Sequence, residues 1–195
     1  MCVAGLSVIA LALASLPAWG ASKESKQQEV QKMSRETLAK LYRAQPSAQK
    51  AVEGAAGYAV FSNFGMKILM AGGGSGSGMA VDNKTKQATY MKMVEVQDGL
   101  GMGVKKFRVV FVFDTQKVLN DFVNSGWEFG GQTTAAAKAG EQGLALAGAV
   151  SVAPGVWMYQ LTDTGLAAEI TAKGTKYYKD GDLNYDAVGQ SRCHA

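Results

Sequence analysis

Histidine and cysteine chemistry has almost nothing to work with in this chain. The only histidine among 195 residues is His194, and the two cysteines are Cys2 and Cys193. A nucleophilic triad needs an imidazole fixed beside its nucleophile, and a His-rich zinc site needs several. Here either would have to be assembled from chain ends, so common hydrolase and zinc-site readings are set aside. The same placement leaves no internal disulfide framework. Two other patterns invite chemistry. Gly72-Gly73-Gly74-Ser75-Gly76-Ser77-Gly78 resembles a phosphate-cradling loop, but no Lys-Ser/Thr pair follows and the G-x-G-x-x-G spacing is absent. Met79-Ala80-Val81 continues as strand where a helix should open, so a glycine-rich strand crossed closely by another element is expected. Asp180, Asp182, Asn184 and Asp186 alternate like calcium-loop ligands. The sixth position is Tyr185 instead of glycine and the twelfth is Ser191 instead of glutamate, so a surface turn is expected. No spaced acid–base or nucleophile constellation emerges from the remaining Asp, Glu and Ser residues. A non-enzymatic chain with no cofactor and no metal follows as the expectation.

What remains is charge. The net charge of +4 favours anionic partners weakly and selects no class of them. From Lys23 to Lys50 there are seven Lys/Arg and three Glu, an excess equal to the net charge of the whole chain. On a helical wheel Val30, Met33, Leu38 and Leu41 gather on one side and Lys32, Arg35, Lys40 and Arg43 on the other. Such a face is either simply solvated, with Lys32–Glu36 and Glu36–Lys40 at supporting i,i+4 spacing, or a contact for an anionic membrane surface. At roughly 1 kcal/mol per basic residue near such a surface, an excess of four supplies about 4 kcal/mol, only about millimolar binding. Stable attachment then needs a second contribution, such as apolar insertion or a headgroup pocket.

The elements that position these residues are legible in outline. Phe107, Val109, Phe111 and Phe113 alternate with Val110 and Val112, which predicts a strand covered on both faces. Asp114 or Thr115 then caps a helix carrying Val118, Leu119, Phe122 and Val123 on one face, and Gly126 ends it. Trp127 and Phe129 return the chain to the core. Upstream, Tyr58–Phe61 and residues 67–71 read as two strands separated by a turn at Ser62-Asn63-Phe64-Gly65. Asp82-Asn83-Lys84-Thr85 is a second turn, with a return strand from Ala88 to Val96. Residues 145–152 suit a strand, and 155–161 and 166–171 pair around Thr162-Asp163-Thr164-Gly165. With 24 glycines against three prolines, and the glycines inside apolar runs, tight bends are expected more than linker. Residues 1–20 carry no charge, and Ala18-Trp19-Gly20 offers small residues before Ala21, the pattern of a cleaved export signal. Lys138 and Glu141, and the length, exclude a membrane hairpin in the Ala/Gly-rich stretch beyond Gln132.

Several blocks in this order resemble a SYLF domain: Gly57-Tyr58-Ala59-Val60-Phe61, Gly72–Gly78, Gly99-Leu100-Gly101 before Val109–Phe113, and Ser125-Gly126-Trp127-Glu128-Phe129-Gly130. Tyr159–Glu169 and Gly174–Asn184 add a tail similar to bacterial members. The resemblance implies binding of phosphoinositides or acidic lipids through an N-terminal basic amphipathic segment, here the Lys32, Arg35, Lys40 and Arg43 face, and brings no catalytic residues. Actin binding, described for some eukaryotic members, is not expected of a chain with an export leader and no SH3 or FYVE block.

The organisation expected is a leader over 1–20, a basic amphipathic helical segment over 21–50, a SYLF-like domain over 51–186 and a flexible tail over 187–195. The fold class is α+β: an N-terminal helical segment, then a strongly bent antiparallel sheet approaching a sandwich or barrel, with one short packed helix. Expected partners are anionic membrane lipids, met through the helix face and through Lys105, Lys106 and Arg108 at the strand entrance. No nucleic-acid partner is expected. The alternative is a self-associating envelope protein, joined through sheet edges or Cys193. Either way the chain is expected to be exported, periplasmic or envelope-associated.

Overall fold

The run Phe107–Phe113 has apolar side chains in both alternating sets, so a sheet that contains it must be covered on both sides. The computed structural model describes residues 22–68, 71–98, 103–129, 147–163, 165–166 and 175–184. In chain order it contains α1 (Lys23–Ala44), α2 (Ser47–Gly54), β1 (Gly57–Ile68), β2 (Ala71–Asp82), β3 (Ala88–Asp98), β4 (Gly103–Phe113) and α3 (Gln116–Ser125). Then follow β5 (Trp127–Phe129), β6 (Val150–Ala153), β7 (Val156–Thr162), β8 (Gly165–Leu166), β9 (Thr175–Lys179) and α4 (Gly181–Asn184). The strands form one antiparallel sheet in the order β5-β9-β3-β2-β1-β4-β7-β6, with β8 on β7. The class is α+β, as the sequence predicts.

The sheet curls into a half-barrel. Phe111 on β4 and Trp127 on β5 are five strand spacings apart, about 24 Å in a flat sheet. Their ring centroids lie 5.5 Å from each other, edge to face. Tyr177 on β9 reaches Phe111 at 5.1 Å and Phe61 at 4.7 Å. The concave side is therefore an aromatic core, completed by Leu119 and Phe122 of α3. Thr115 caps α3 by accepting from the Val118 N–H, and Gly126 ends it at φ 72°, as its position after Ser125 predicts. The opposite side carries Val60, Val110, Val112, Tyr159 and Leu161 beneath α1 and α2.

Gly78 makes the curl possible at β2. It pairs with Phe61 on one side and Met91 on the other, and any Cβ there would collide with the Phe61 ring and the Val60 carbonyl. The glycine-rich run is thus strand, with the close crossing that its composition predicts.

Three expectations are corrected. Ser62-Asn63-Phe64-Gly65 is not a turn: these residues lie within the continuous strand β1, hydrogen-bonded between β2 and β4. The helical segment does not run unbroken to Lys50. It stops at Gln45, where Pro46 interrupts it, and α2 carries on to Gly54, across the boundary drawn at residue 50. Asp180–Asn184 is not a plain surface turn, because Asp180 is buried and a short helix follows it. Residues 1–20, the tail 187–195 and Cys193 lie outside the described residues.

Gly78→Val is expected to destabilise the fold by about 1–3 kcal/mol through overpacking. Gly54→Ala, with open space around the new methyl, should be neutral or stabilising by about 0.4–1 kcal/mol. Thermal melts of the two variants check this; equal melting temperatures would contradict the close packing of β2 on Phe61.

Candidate functional site

The basic face is built on α1. Ser22 caps the helix by accepting the Ser25 N–H at 3.2 Å, and Glu24 and Arg43 sit in the first and last turns, where they suit the helix dipole. Val30, Ser34, Thr37 and Leu41 are buried, and Met33, Leu38 and Tyr42 are partly so. The N-terminal half lies on Met79, Val81 and Tyr90 of the sheet and on Leu183, and the C-terminal half on Val60, Val110 and Tyr159. Thr37 meets the sheet without an orphaned hydroxyl, since its Oγ1 donates to the Met33 carbonyl at 2.8 Å. Each large apolar side chain of the helix (Val30, Met33, Leu38, Leu41 and Tyr42) packs into the core on this side, and only Ala39 and Ala44 are left exposed.

The cations face the other way. Lys32, Arg35 and Arg43 are exposed and Lys40 is partly exposed. From Lys32 to Arg43 is eleven residues, about 16 Å along the axis. Arg43 Nε donates to the Ala39 carbonyl at 3.3 Å. Among the described residues, neither Lys32–Glu36 nor Glu36–Lys40 closes into an ion pair, unlike Lys117–Asp121 at the same spacing on α3. Glu29 and Glu36 stand exposed among the cations and dilute their field.

The strand-entrance set is separate. Arg108 is partly exposed on β4, paired with Ser62 and Leu161, two residues from Val110 on the side of the sheet that α1 covers. Lys105 and Lys106 pair through their backbones with Gly65 and Phe64. Their side chains lie outside the described residues. Lys105 is five residues from Val110, about 17 Å along the strand. The structure thus gathers Lys32, Arg35, Lys40 and Arg43 on one helix face and leaves the strand residues on another element.

One cluster escapes a reading of the sequence. Lys92 Nζ on β3 lies 3.0 Å from Asp180 Oδ1 and 3.0 Å from Asp182 Oδ2. The alternating acids do hold a cation, but it is an ammonium from their own chain. The Asn184 side chain accepts the Tyr90 N–H at 2.9 Å and donates to the Tyr90 carbonyl at 2.7 Å, so it pairs with β3 as a strand would. Gln27 of α1 donates to the Leu183 carbonyl at 2.8 Å, and Gln31 to the Tyr90 hydroxyl at 2.6 Å. The clasp ties α4 to β3 and both to α1. The Lys92 hydrogen bond holds the Asp182 carboxyl below the usual range, and bonds to Asp182 and Asp180 raise the lysine. Beneath α1, burial pushes Tyr159 up to about 12. Tyr42 is raised to about 12 as well, by burial and then by Tyr58 and Glu53. These phenols stay neutral at any physiological pH and act as packing, not as acids.

The family model described as Ysc84, the Las17-binding protein actin regulator, matches residues 94–195. Beta cell expansion factor A of Aeromonas veronii is 32% identical over 146 residues, 75% of this chain and 54% of that protein. The chain therefore spans about half the length of the relative it matches. The family match begins at Val94, within β3, and leaves α1 outside its span.

The clasp predicts an acid-sensitive stability. Asp182, depressed in the native state, contributes stability above the ordinary carboxylate value of about 3.9. That contribution is lost as pH falls through the lower native value. Asp182→Asn should flatten this part of the melting-temperature profile below about pH 4. Lys92→Met, which leaves the buried Asp180 without its ammonium, should cost about 1–3 kcal/mol at neutral pH. A melting profile unchanged in both variants would contradict the clasp.

Proposed function

The chain belongs to the SYLF (Ysc84) family, whose model covers just over half of it, and from that premise we propose that it is a non-enzymatic binder of anionic lipid headgroups. The observation that carries this reading is the division of α1. Its apolar side is consumed by the sheet, while Lys32, Arg35, Lys40 and Arg43 turn outward without acidic partners in ion-pair contact. A docked helix of this kind meets a membrane through charge alone. At about 1 kcal/mol per cation such contact is weak, peripheral and sensitive to salt. Arg108, with Lys106 two residues before it in the same alternating set of β4, is a candidate for a second contact on the same lipid surface; Lys105 belongs to the other set.

The leader pattern supports export to a periplasm or envelope, where the lipid met need not be a phosphoinositide. A self-assembling envelope role finds less support. The terminal strands of the described sheet, β5 and β6, have three and four residues and offer little template for edge pairing.

Flotation with vesicles of phosphatidylcholine, with and without phosphatidylglycerol, tests the lipid reading. The protein should float only with the anionic vesicles, and less at high salt. The double reversal Arg35→Glu, Lys40→Glu should remove most of the roughly 4 kcal/mol available and abolish flotation. Equal recovery on neutral vesicles, or no effect of the reversal, would overturn it. Mass spectrometry of the mature protein should find Ala21 at its N-terminus; an intact Met1 in exported material would contradict the cleavage.

A further inference from the structure

A second surface lies on the other side of the sheet from α1 and takes no part in the proposed lipid contact. There α3 overhangs the β2–β3 hairpin and leaves a groove of about 230 Å³. Four parts of the chain line it: Asp82 at the end of β2, Gln87 and Thr89 at the start of β3, Asn120 and Asn124 on α3, and Lys179 on β9. Val123 is the one apolar side chain that reaches the gap; Ala80 and Leu119 lie beneath it, buried in the core. Asn120 and Asn124 are one helical turn apart, about 5–6 Å. Gln87 and Thr89 are two strand residues apart, about 7 Å. Two rows of polar side chains therefore face one gap.

Much of that polarity is uncommitted. Among the described residues, the side chains of Gln87 and Thr89 make no hydrogen bond, and each asparagine spends only its carbonyl oxygen. Asn120 Oδ1 accepts from Gln116 at 3.4 Å and Asn124 Oδ1 accepts from Lys179 at 3.1 Å, so both Nδ2 groups remain as donors. The two charges in the groove are of opposite sign. Asp82 is kept ionised by the backbone N–H of Thr85, the Gln116 amide and the N–H of Lys84, and Lys179 is braced by Asn124. A net-neutral groove gives no preference to a phosphate or a sulfate. Neighbouring amides and a hydroxyl, each able to donate and accept, around a mostly polar gap match a small uncharged ring that carries several hydroxyls. The volume lies below the roughly 300–1,000 Å³ of drug-sized sites, which limits the occupant to about one ring.

We propose that the groove between α3 and the β2–β3 hairpin binds a single neutral sugar or cyclic polyol unit, held by Gln87, Thr89, Asn120 and Asn124. The binding is weak for a free monosaccharide, because the groove is open and fixing its exposed Gln87, Asn120 and Asn124 side chains costs rotamer freedom.

Two-dimensional amide NMR of the full chain tests this with glucose, galactose, mannose and myo-inositol at millimolar concentration, and with inorganic phosphate as the anionic probe. At least one neutral probe should shift side-chain and backbone signals of Gln87, Thr89, Asn120 and Asn124 in a saturable way. Asn120→Ala with Asn124→Ala should weaken that binding by about tenfold or more, the loss of one or two neutral hydrogen bonds, with an unchanged melting temperature. Single Gln87→Ala should weaken it less. Absence of shifts with every neutral probe would overturn the proposal. So would saturable binding of phosphate centred on Lys179, or sugar shifts that survive the double substitution. Flotation on anionic vesicles should be unaffected by the double substitution, so the outcome here is independent of the lipid reading.

Discussion

The architecture follows from two central strands that are apolar on both faces. Along β1, Phe61 points to one side and Val60 to the other; along β4, Phe111 and Phe113 oppose Val110 and Val112. Each such side chain contributes about 1.5–3 kcal/mol when fully buried, so neither face can be left to water. One face is satisfied by the sheet itself, which curls until Tyr177 and Trp127 from the far strands meet Phe111. Among the described residues, the other face is covered by α1 and α2. That demand fixes which side of α1 looks inward. The basic side is turned outward as a consequence of packing, whatever it goes on to touch.

The same constraint bears on the membrane contact proposed for α1. An amphipathic helix commonly inserts its apolar stripe, but here the stripe is already in use. Undocking exposes Leu41 and Val30 together with Val60, Val110, Tyr159 and Met79 beneath them. Lipid would rebury the helix side only and leave the sheet side wet. Burial on both partners outweighs burial on one, so the docked state is favoured, and the lipid contact proposed for this helix is an electrostatic one. The clasp of Lys92, Asp180 and Asn184, with the bonds from Gln27 and Gln31, adds polar ties to the same end of the helix.

The sequence was most informative where signals were local and agreed with one another. Alternation through Phe113, a cap at Thr115, an apolar face ending at Ser125 and a glycine at 126 describe β4 and α3 closely. The outward basic face of α1 was legible for the same reason, because period 3.6 separates Val30 and Leu41 from Lys32 and Arg43. Ser62-Asn63-Phe64-Gly65 misleads because its turn-forming residues are overruled by pairing on both sides, a tertiary effect with no local trace. Asp180 and Asp182 look solvated until Lys92, some ninety residues earlier, is placed against them. The groove under α3 draws its lining from four separated stretches, and no window of sequence contains it.

Hydrogen exchange of α1 on anionic vesicles is the most direct check on a helix that offers charge while keeping its apolar side on the sheet. Amides from Val30 to Leu41 should remain as protected on the vesicle as in solution, together with those of β1 and β4 beneath them. Faster exchange in β1 and β4 on binding, with α1 still helical, would mean that the helix has left the sheet for the lipid, and the electrostatic, docked mode described above would be wrong.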